Sequence, residues 1–405
     1  MKIMVIGSGG REHALVWKLS QSPLCDKVLA VPGNPGIATV AQCVQPPAAT
    51  PQALAELARD AGVDLTIVGP EAPLVAGIVD AFRASGLRII GPTAAAARLE
   101  GSKVFAKQFM QAAGIPTARF RIASGPAEAP RLLDTFGYPV VLKADGLAAG
   151  KGVIVAEDRA QALAALEQLP PGPLVIEEYL TGEEVSFITI CNGTRAVALE
   201  PTQDHKRVYD ADRGPNTGGM GAYSDSRILS LAERTRIMET IIQPTLERMH
   251  QLGCPFSGFL YAGLMMTADG PKVLEFNVRL GDPEAQPLMY RMHSDFLATL
   301  VEGAPMEWSP EPSVCVVLAA AGYPGKPRTG DPITGIDTCG ATVFHAGTRL
   351  TESGLVTAGG RVLGVTASGP DLPTAIRNTY EAVRKIHFPG MHYRTDIGSK
   401  GLKRW

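Results

Sequence analysis

The segment Leu274–Gln286, LEFNVRLGDPEAQ, gathers oxygen ligands and a guanidinium within a few residues. Read as a strand, its side chains alternate between faces. Leu274, Phe276 and Val278 then point toward a core, while Glu275, Asn277 and Arg279 stand side by side on the other face. Burying such a set unpaired is costly, so a core role does not account for it. Glu275 and Asn277 offer the hard oxygens that Mg²⁺ prefers, and Arg279 offers a fork for a carboxylate or phosphate. Gly281-Asp282-Pro283 makes a turn, followed by Glu284 and Gln286. The expectation is that this segment holds a metal and the anionic end of a substrate where a phosphoryl group is transferred. Taken alone, it reads equally as an edge strand with a solvated polar face.

A second stretch bears on the same chemistry. In Val140–Gly152, VVLKADGLAAGKG, a strand delivers Lys143, and a loop of small residues carries Lys151 among Gly146, Gly150 and Gly152. A Walker A loop needs four residues between its glycines and Ser or Thr after its lysine, and neither condition is met. The stretch reads as a glycine flap that brings a second lysine over polyphosphate, or as a glycine-rich hairpin. The Leu174 strand ends in Glu177-Glu178-Tyr179-Leu180, an extended connector suited to offering a backbone carbonyl and N–H to an adenine edge. Glu184 follows where a ribose diol would be held, although acidic loops are also commonly just solvated. Ser102–Ala113 reads as a helix capped by Ser102, with Phe105 and Phe109 at core spacing and Lys103 and Lys107 on one face. Gln203–Arg207 and Asp210–Tyr223 show no core periodicity. They read as a long glycine-rich loop, rich in charged side chains, that embraces a substrate.

The elements that must position these groups fall into three textures. Residues 1 to about 100 read as β-α-β-α-β, a small parallel sheet whose ligands sit at the carboxyl ends of its strands. Its first turn, Gly7-Ser8-Gly9-Gly10-Arg11-Glu12, resembles half of a dinucleotide fingerprint. Glu12 replaces the third glycine and no ribose-binding acid follows VPGNPG, which argues against NAD or FAD. The turn still aims backbone N–H groups from a helix N-terminus, as a phosphate requires. Asn34, Gly36 and Gly69-Pro70-Glu71 end neighbouring strands at the same crevice. Tight turns alone also explain the glycines. Leu74–Ser85, Leu229–Leu252 and Pro287–Val301 are predicted as single helices, and Ser257–Thr267 is predicted to pair with Lys272–Val278 through the turn Ala268-Asp269-Gly270. From about 312, three strand-like runs and a helix over Leu372–Lys385 form a small α/β cap with no obvious catalytic cluster.

Bulk properties narrow the classes. A chain of 405 residues exceeds one hydrophobic core, so several domains are expected. Net charge of −2 leaves no basic field for nucleic acid or anionic lipid. Six scattered cysteines make neither ligand pairs for zinc nor a disulfide framework, which fits a reducing compartment. Ile3–Ile6 is too short for a signal peptide, and the longest apolar run, Val314–Ala321, is far below a membrane span. A cytoplasmic protein without membrane or nucleic-acid partners is expected, as a monomer or weak oligomer.

The glycine flap with two lysines, the EEYL connector and a strand bearing metal ligands resemble the ATP-grasp fold. Together RLGDPEAQ, GPNTGGMGAYS, QDHKR, LKADGLAAGKGV and GSGGREHAL resemble the glycinamide ribonucleotide synthetase family, from one end of the chain to the other. Leu280 stands where that family usually has Phe, and Ser224-Asp225 where Ser-Pro is usual; neither change removes a charged or metal-binding group. The resemblance implies an N-terminal α/β substrate domain over 1–101 and a two-lobed ATP-grasp domain over 102–312. The small lobe of the latter spans about 118–190 and the larger about 191–312, and a C-terminal α/β domain covers 313–405. It implies ATP-dependent joining of glycine to 5-phosphoribosylamine through glycyl phosphate, with Mg²⁺ or Mn²⁺ on Glu275 and Asn277. By the same resemblance Lys103, Lys143 and Lys151 meet the phosphates, Glu177, Glu178 and Leu180 the adenine, and Glu184 the ribose. Arg279, Lys151, Asp212 and Asn216 are implied as catalytic. Gly9, Gly10, Asn34, Gly218, Gly219, Arg279 and Asp282 are implied to face glycine or the phosphoribosyl group. A biotin-dependent or aminoimidazole ribonucleotide carboxylase is the competing enzyme, but no biotinyl-lysine motif is present and RLGDPEAQ and TGGMGAY speak against it. A silent nucleotide-binding protein is disfavoured by the retention of Lys143, Lys151, Glu275, Asn277 and Arg279.

Overall fold

A computed structural model describes residues 1–147 and 152–405, so the expectations for Lys151 and Gly150 lie outside the described residues. The N-terminal unit is a five-stranded parallel sheet in the order Gln42–Cys43, Lys27–Pro32, Lys2–Gly7, Leu65–Val68, Ile89–Ile90. Ile3, Met4, Val5 and Ile67 are wholly buried, because helices cover both faces of such a sheet. Glu12 explains why the first turn departs from the dinucleotide pattern. Its carboxylate folds back to accept the Gly9 N–H at 2.5 Å and pairs with Arg11 Nε at 2.6 Å. It also lies against Gly69, where any Cβ would collide with it. The helix expected over Leu74–Ser85 is two, Glu71–Val75 and Ile78–Ala84. Gly77 sits between them at φ +87°, a left-handed conformation that a right-handed helix cannot pass through.

A four-stranded antiparallel sheet follows, in the order Phe120–Ala123, Leu174–Glu178, Val140–Ala144, Val153–Ala156. The Arg159–Gln168 helix, capped by Asp158, packs on it through Ala162, Ala165 and Leu166. The large sheet runs Gly270–Asn277, Ser257–Thr267, Glu183–Asn192, Thr202–Asp204, Gly221–Ser224, Ser313–Ala319, Arg361–Ser368, Thr342–His345, with Arg195–Ala198 paired off its path to Glu183–Asn192.

That order corrects two expectations. The C-terminal strands do not form a separate cap, because Ser313–Ala319 pairs directly with Gly221–Ser224 and extends the central sheet. Gln203–Tyr223 is not a structureless loop either. It contributes Thr202–Asp204 and Gly221–Ser224 to that sheet and folds Arg207–Tyr209 against Arg213–Asn216 as a hairpin. Strands of three or four residues are too short to show a period. The helix expected over Leu229–Leu252 is interrupted by a π turn, Met238–Ile242, directly before Gln243-Pro244. Pro244 has no N–H to donate to the preceding turn, and a widened turn accommodates the loss. Pro287–Val301 divides into Ala285–Arg291 and Phe296–Glu302, the second capped by Asp295, whose carboxylate accepts from Leu297 N and Ala298 N. No helix among the described residues is long and apolar enough to cross a membrane.

Candidate active site

The lysines come together first. Lys143 projects from Val140–Ala144, and its ammonium donates to Leu274 O at 2.9 Å and lies 3.1 Å from Glu177 Oε2. Lys107 reaches the other Glu177 oxygen at 3.1 Å and donates to Thr117 Oγ1 at 2.6 Å. Glu177 thus bridges two buried lysines, and its carboxylate braces Lys143 rather than opening toward an adenine. Burial pushes Lys107 down to about 8 despite Glu177. Lys103 donates to Gly146 O at 2.8 Å, and the neighbouring Asp145 carboxylate accepts from Ser102 Oγ and Val104 N. These bonds tie the base of the glycine-rich stretch to the N-terminus of the Lys103–Ala112 helix.

The adenine-side expectations fall beside this cluster. Glu178 is tied by its side chain to Arg119 N at 2.8 Å and by its own N–H to Arg119 O at 3.0 Å. Leu180 is buried with Ala118 and Met265, and Leu274 packs against all three. Leu274 was expected to share a core with Phe276 and Val278, and it does not. Val273 pairs with Leu264 and Glu275 with Gly263, so Leu274 is the extra residue of a bulge. The bulge turns its side chain away from the main core and makes an apolar floor next to Lys143.

Glu275 and Asn277 follow the bulge on the same strand. Glu275 lies 3.9 Å from Lys206, which also sits 3.2 Å from Glu184. The residue assigned to the ribose and the one assigned to the metal therefore share one cation. Burial in the cleft pushes the Glu275 carboxyl up, but Lys206, Lys143, Lys103 and Arg279 more than offset this and hold it below its ordinary value. Lys206 was read only as part of QDHKR and the charged loop, with no role of its own assigned. Among the described residues no group of three or more His, Cys, Asp or Glu is poised to cage a metal. Mg²⁺ needs no such cage, because it keeps several waters and uses one or two protein oxygens.

Arg279 is more heavily engaged than its sequence implied. Its guanidinium donates to Glu71 at 3.3 Å, Glu100 at 2.8 Å and Asn277 Oδ1 at 3.2 Å. Glu100 also accepts the Val278 N–H at 2.7 Å, tying the end of the strand to the N-terminal unit.

The remaining residues meet at a second junction. A Cβ on Gly10 would lie 2.5 Å from Gln286 Nε2, and one on Gly9 would lie 3.3 Å from Asp282 Oδ2. Gln286 donates to Asp282 Oδ1 at 2.8 Å. A Cβ on Gly219, whose φ is +112°, would lie 2.5 Å from Pro283. The first turn of the chain and the Gly218–Gly219 turn thus both pack against the Asp282 turn. Asn34 is adjacent but fully engaged as a donor: its amide hydrogens go to Ser8 O and His345 O, both at 2.8 Å. Asp212 lies apart from both clusters, ion-paired to Arg394 at 2.9 Å and Lys400 at 2.7 Å, and Asn216 pairs with Arg207 in the hairpin.

Three segments match one family in order. Residues 1–100 match "Phosphoribosylglycinamide synthetase, N domain", 101–285 its ATP-grasp (A) domain and 313–400 its C domain. The chain belongs to the phosphoribosylglycinamide synthetase family. A phosphoribosylamine–glycine ligase from Ralstonia nicotianae is 50% identical over 422 residues, covering all of both chains. The crystal structure of the phosphoribosylamine–glycine ligase from Thermotoga maritima superposes with a TM-score of 0.86 at 35% identity, covering 98% of this chain and 100% of that one. A biotin carboxylase from Campylobacter jejuni superposes at 0.73 with 16% identity, which shows the shared fold alone. Within the synthetase family the two departures are absorbed structurally. Leu280 is buried in a core cluster, and Asp225 caps a short 3₁₀ turn and accepts from Trp405 Nε1 at 2.7 Å.

Proposed function

We propose that the two junctions are the two halves of one ligase site, handling the nucleotide at Lys143–Glu275 and the groups to be joined at Gly9–Gly219–Asp282. The chain is an ADP-forming ligase: it joins glycine to 5-phosphoribosylamine at the expense of ATP, the second step of de novo purine synthesis. The observation that carries the site assignment is the pairing of Lys206 with Glu275 at 3.9 Å, beside the Lys143–Leu274 bond, on the strand that leads directly into Asp282.

A carboxylate is a poor acyl donor, because its leaving group would be oxide. In the first step a glycine carboxylate oxygen attacks the γ-phosphorus and the bond to ADP breaks. In the second, the amine nitrogen of phosphoribosylamine attacks the carbonyl carbon of glycyl phosphate, inorganic phosphate leaves and the nitrogen loses a proton. Both partners of the first step are anions. Lys103 and Lys143 neutralise the phosphates as charge spreads over their oxygens. Glu275 and Asn277 fit Mg²⁺ or Mn²⁺ as hard donors, and such an ion, when bound, supplies further neutralisation at the phosphate oxygens. The apolar patch of Ala118, Leu180, Met265 and Leu274 receives the adenine beside the Glu178–Leu180 connector, and Glu184 reaches the ribose. Arg279, ordered by Glu71 and Glu100, and the Gly218–Gly219 turn orient glycine, while Gly9 and Gly10 face the phosphoribosyl group. Glu177 acts through Lys143. Lys151, at the flap, completes the phosphate contacts, and Asp212 and Asn216 serve by shaping the hairpin that leads into Gly218. The domain limits belonging to this reading are 1–101, 102–312 and 313–405.

The test is the substrate requirement of ADP release together with Glu275→Gln. ADP should appear only with glycine and phosphoribosylamine both present. Glu275→Gln should fold and yet lose about 100-fold or more of its metal-dependent turnover. Turnover equal to that of the unaltered protein would remove Glu275 from the metal site.

A further inference from the structure

We propose that Arg361, on the first position of the C-domain strand Arg361–Ser368, is a positioning residue for the acyl-transfer half of the site. Its NH1 donates to two backbone carbonyls from separate segments, Gly218 O at 2.6 Å and Asp282 O at 2.5 Å. Its NH2 lies 3.1 Å from Asp282 Oδ2. One guanidinium therefore binds the Gly218–Gly219 turn to the Asp282–Pro283 turn. Without it, two carbonyl dipoles and a carboxylate would face one another with no donor between them, at a half-exposed wall of the cleft.

A second C-domain residue holds the same peptide from its other side. Gly218 N–H donates to Tyr323 Oη at 3.0 Å. Tyr323 passes directly over Gly360, where a Cβ would block it. Both polar groups of Gly218 are thus satisfied by the C domain. Farther along the same excursion, Arg394 donates to Arg207 O at 3.1 Å and pairs with Asp212. The excursion that presents Gly218 and Gly219 is moored to the C domain at its tip and at its glycines, although it belongs to the ATP-grasp segment in sequence. The ion pair of Arg361 is with Asp282, on the transfer side of the cleft, and not with Glu275 or Glu177. Lysine cannot replace it, because a point charge on a flexible stem does not span two carbonyls and a carboxylate as a planar fork does.

This inference rests on the reading that the Gly218–Gly219 and Asp282 turns face the groups being joined. The experiment compares Arg361→Lys, Arg361→Met and Tyr323→Phe in the full chain with the unaltered protein. It measures MgADP affinity by calorimetry and initial rates with glycine, phosphoribosylamine and ATP each varied. The expected result is MgADP affinity within about two-fold of the unaltered protein, with kcat/KM for glycine down about ten-fold or more in both Arg361 variants. Tyr323→Phe, which removes one hydroxyl, should show a loss of the same kind but only about three-fold. In one further variant, Arg361→Ala, added guanidinium ion should restore part of the lost rate, which a merely structural defect would not allow. Arg361→Lys with unaltered kcat/KM for glycine, or a loss of MgADP affinity as large as the loss for glycine, would overturn the proposal. Should the Arg361 variants fail to fold, an unchanged Tyr323→Phe would overturn it as well. ADP release by the unaltered protein without glycine would sink the underlying reading instead, and so the two failures are separable.

Discussion

The two halves of the cleft are built by different means. On the nucleotide side, Lys107, Glu177 and Lys143 form a buried chain of opposite charges, with lysine-to-carboxylate distances of 3.1 Å on each side. On the transfer side, Gly218, Asp282 and Arg361 are joined largely through backbone carbonyls, and the glycines are there for close approach. The first half is held by side-chain charge and comes from one lobe and the strand packed on it. The second is held by main-chain contact among segments from both ends and the middle of the chain. Charge chemistry tolerates small shifts in backbone, because Coulomb attraction falls slowly with distance. Close backbone packing does not, so the transfer side should be the more sensitive to an added methyl and the nucleotide side to a lost charge.

The largest effect is expected on the nucleotide side. Glu177→Ala leaves Lys107 and Lys143 buried without their common partner. Its cost to stability should be about 3–5 kcal/mol, read from denaturant unfolding. Glu177→Gln, which keeps the volume and a hydrogen-bonding oxygen, should lose less. Equal, negligible losses in both would show that charge does not organise this half. Next comes Gly219→Ala. The residue lies at φ +112° and its Cβ would meet Pro283 at 2.5 Å, so about 1–3 kcal/mol of strain and overpacking is expected. The loss in kcat/KM should appear for glycine before ATP, and an alanine variant kinetically equal to the parent would erase the contrast drawn above.

The smallest effect concerns the weld between the N-terminal unit and the C domain. His13 Nδ1 accepts the His345 N–H at 2.7 Å, and Phe344 packs edge-on to the His13 ring. Burial pushes His13 down to about 3, with His345 adding to the shift, and burial also pushes His345 down to about 4. For both, the unfolded chain binds the proton more readily than the folded one. Stability is therefore complete above the ordinary histidine value of about 6.5 and falls as pH drops from there toward the folded values. Melting temperature should decline between pH 7.5 and 5, and His13→Asn should decline less steeply. Parallel slopes would show that this contact does not titrate with folding.

Much of the fold was legible locally. Arg159–Gln168 has its helix start in the sequence because Asp158 caps it, and the Ala, Leu, Gln and Glu that follow are strong helix formers. Ser257–Thr267 and Gly270–Asn277 are legible because a short turn joins two runs rich in strand formers. The candidate site was legible where one segment carries several groups of one purpose, as with Glu275 and Asn277. It was illegible where a partner lies far along the chain: Glu71 and Glu100 on Arg279, Lys206 between Glu184 and Glu275, and Arg361 on Gly218 and Asp282. Glu177 illustrates the difference. Its place at a strand end was readable, but its engagement by two lysines depends on a helix packing behind it.

The sequence by itself determined the family, the three-part α/β architecture and the residue types that answer to phosphate and metal, because those follow from local pattern and side-chain chemistry. Only the tertiary structure decided that Leu274 bulges out of register, that the C-terminal strands extend the central sheet, and that Arg361 moors the glycine turn. Each of these is a contact between distant segments. A backbone carbonyl or a missing Cβ carries no mark in the sequence of the partner that will meet it.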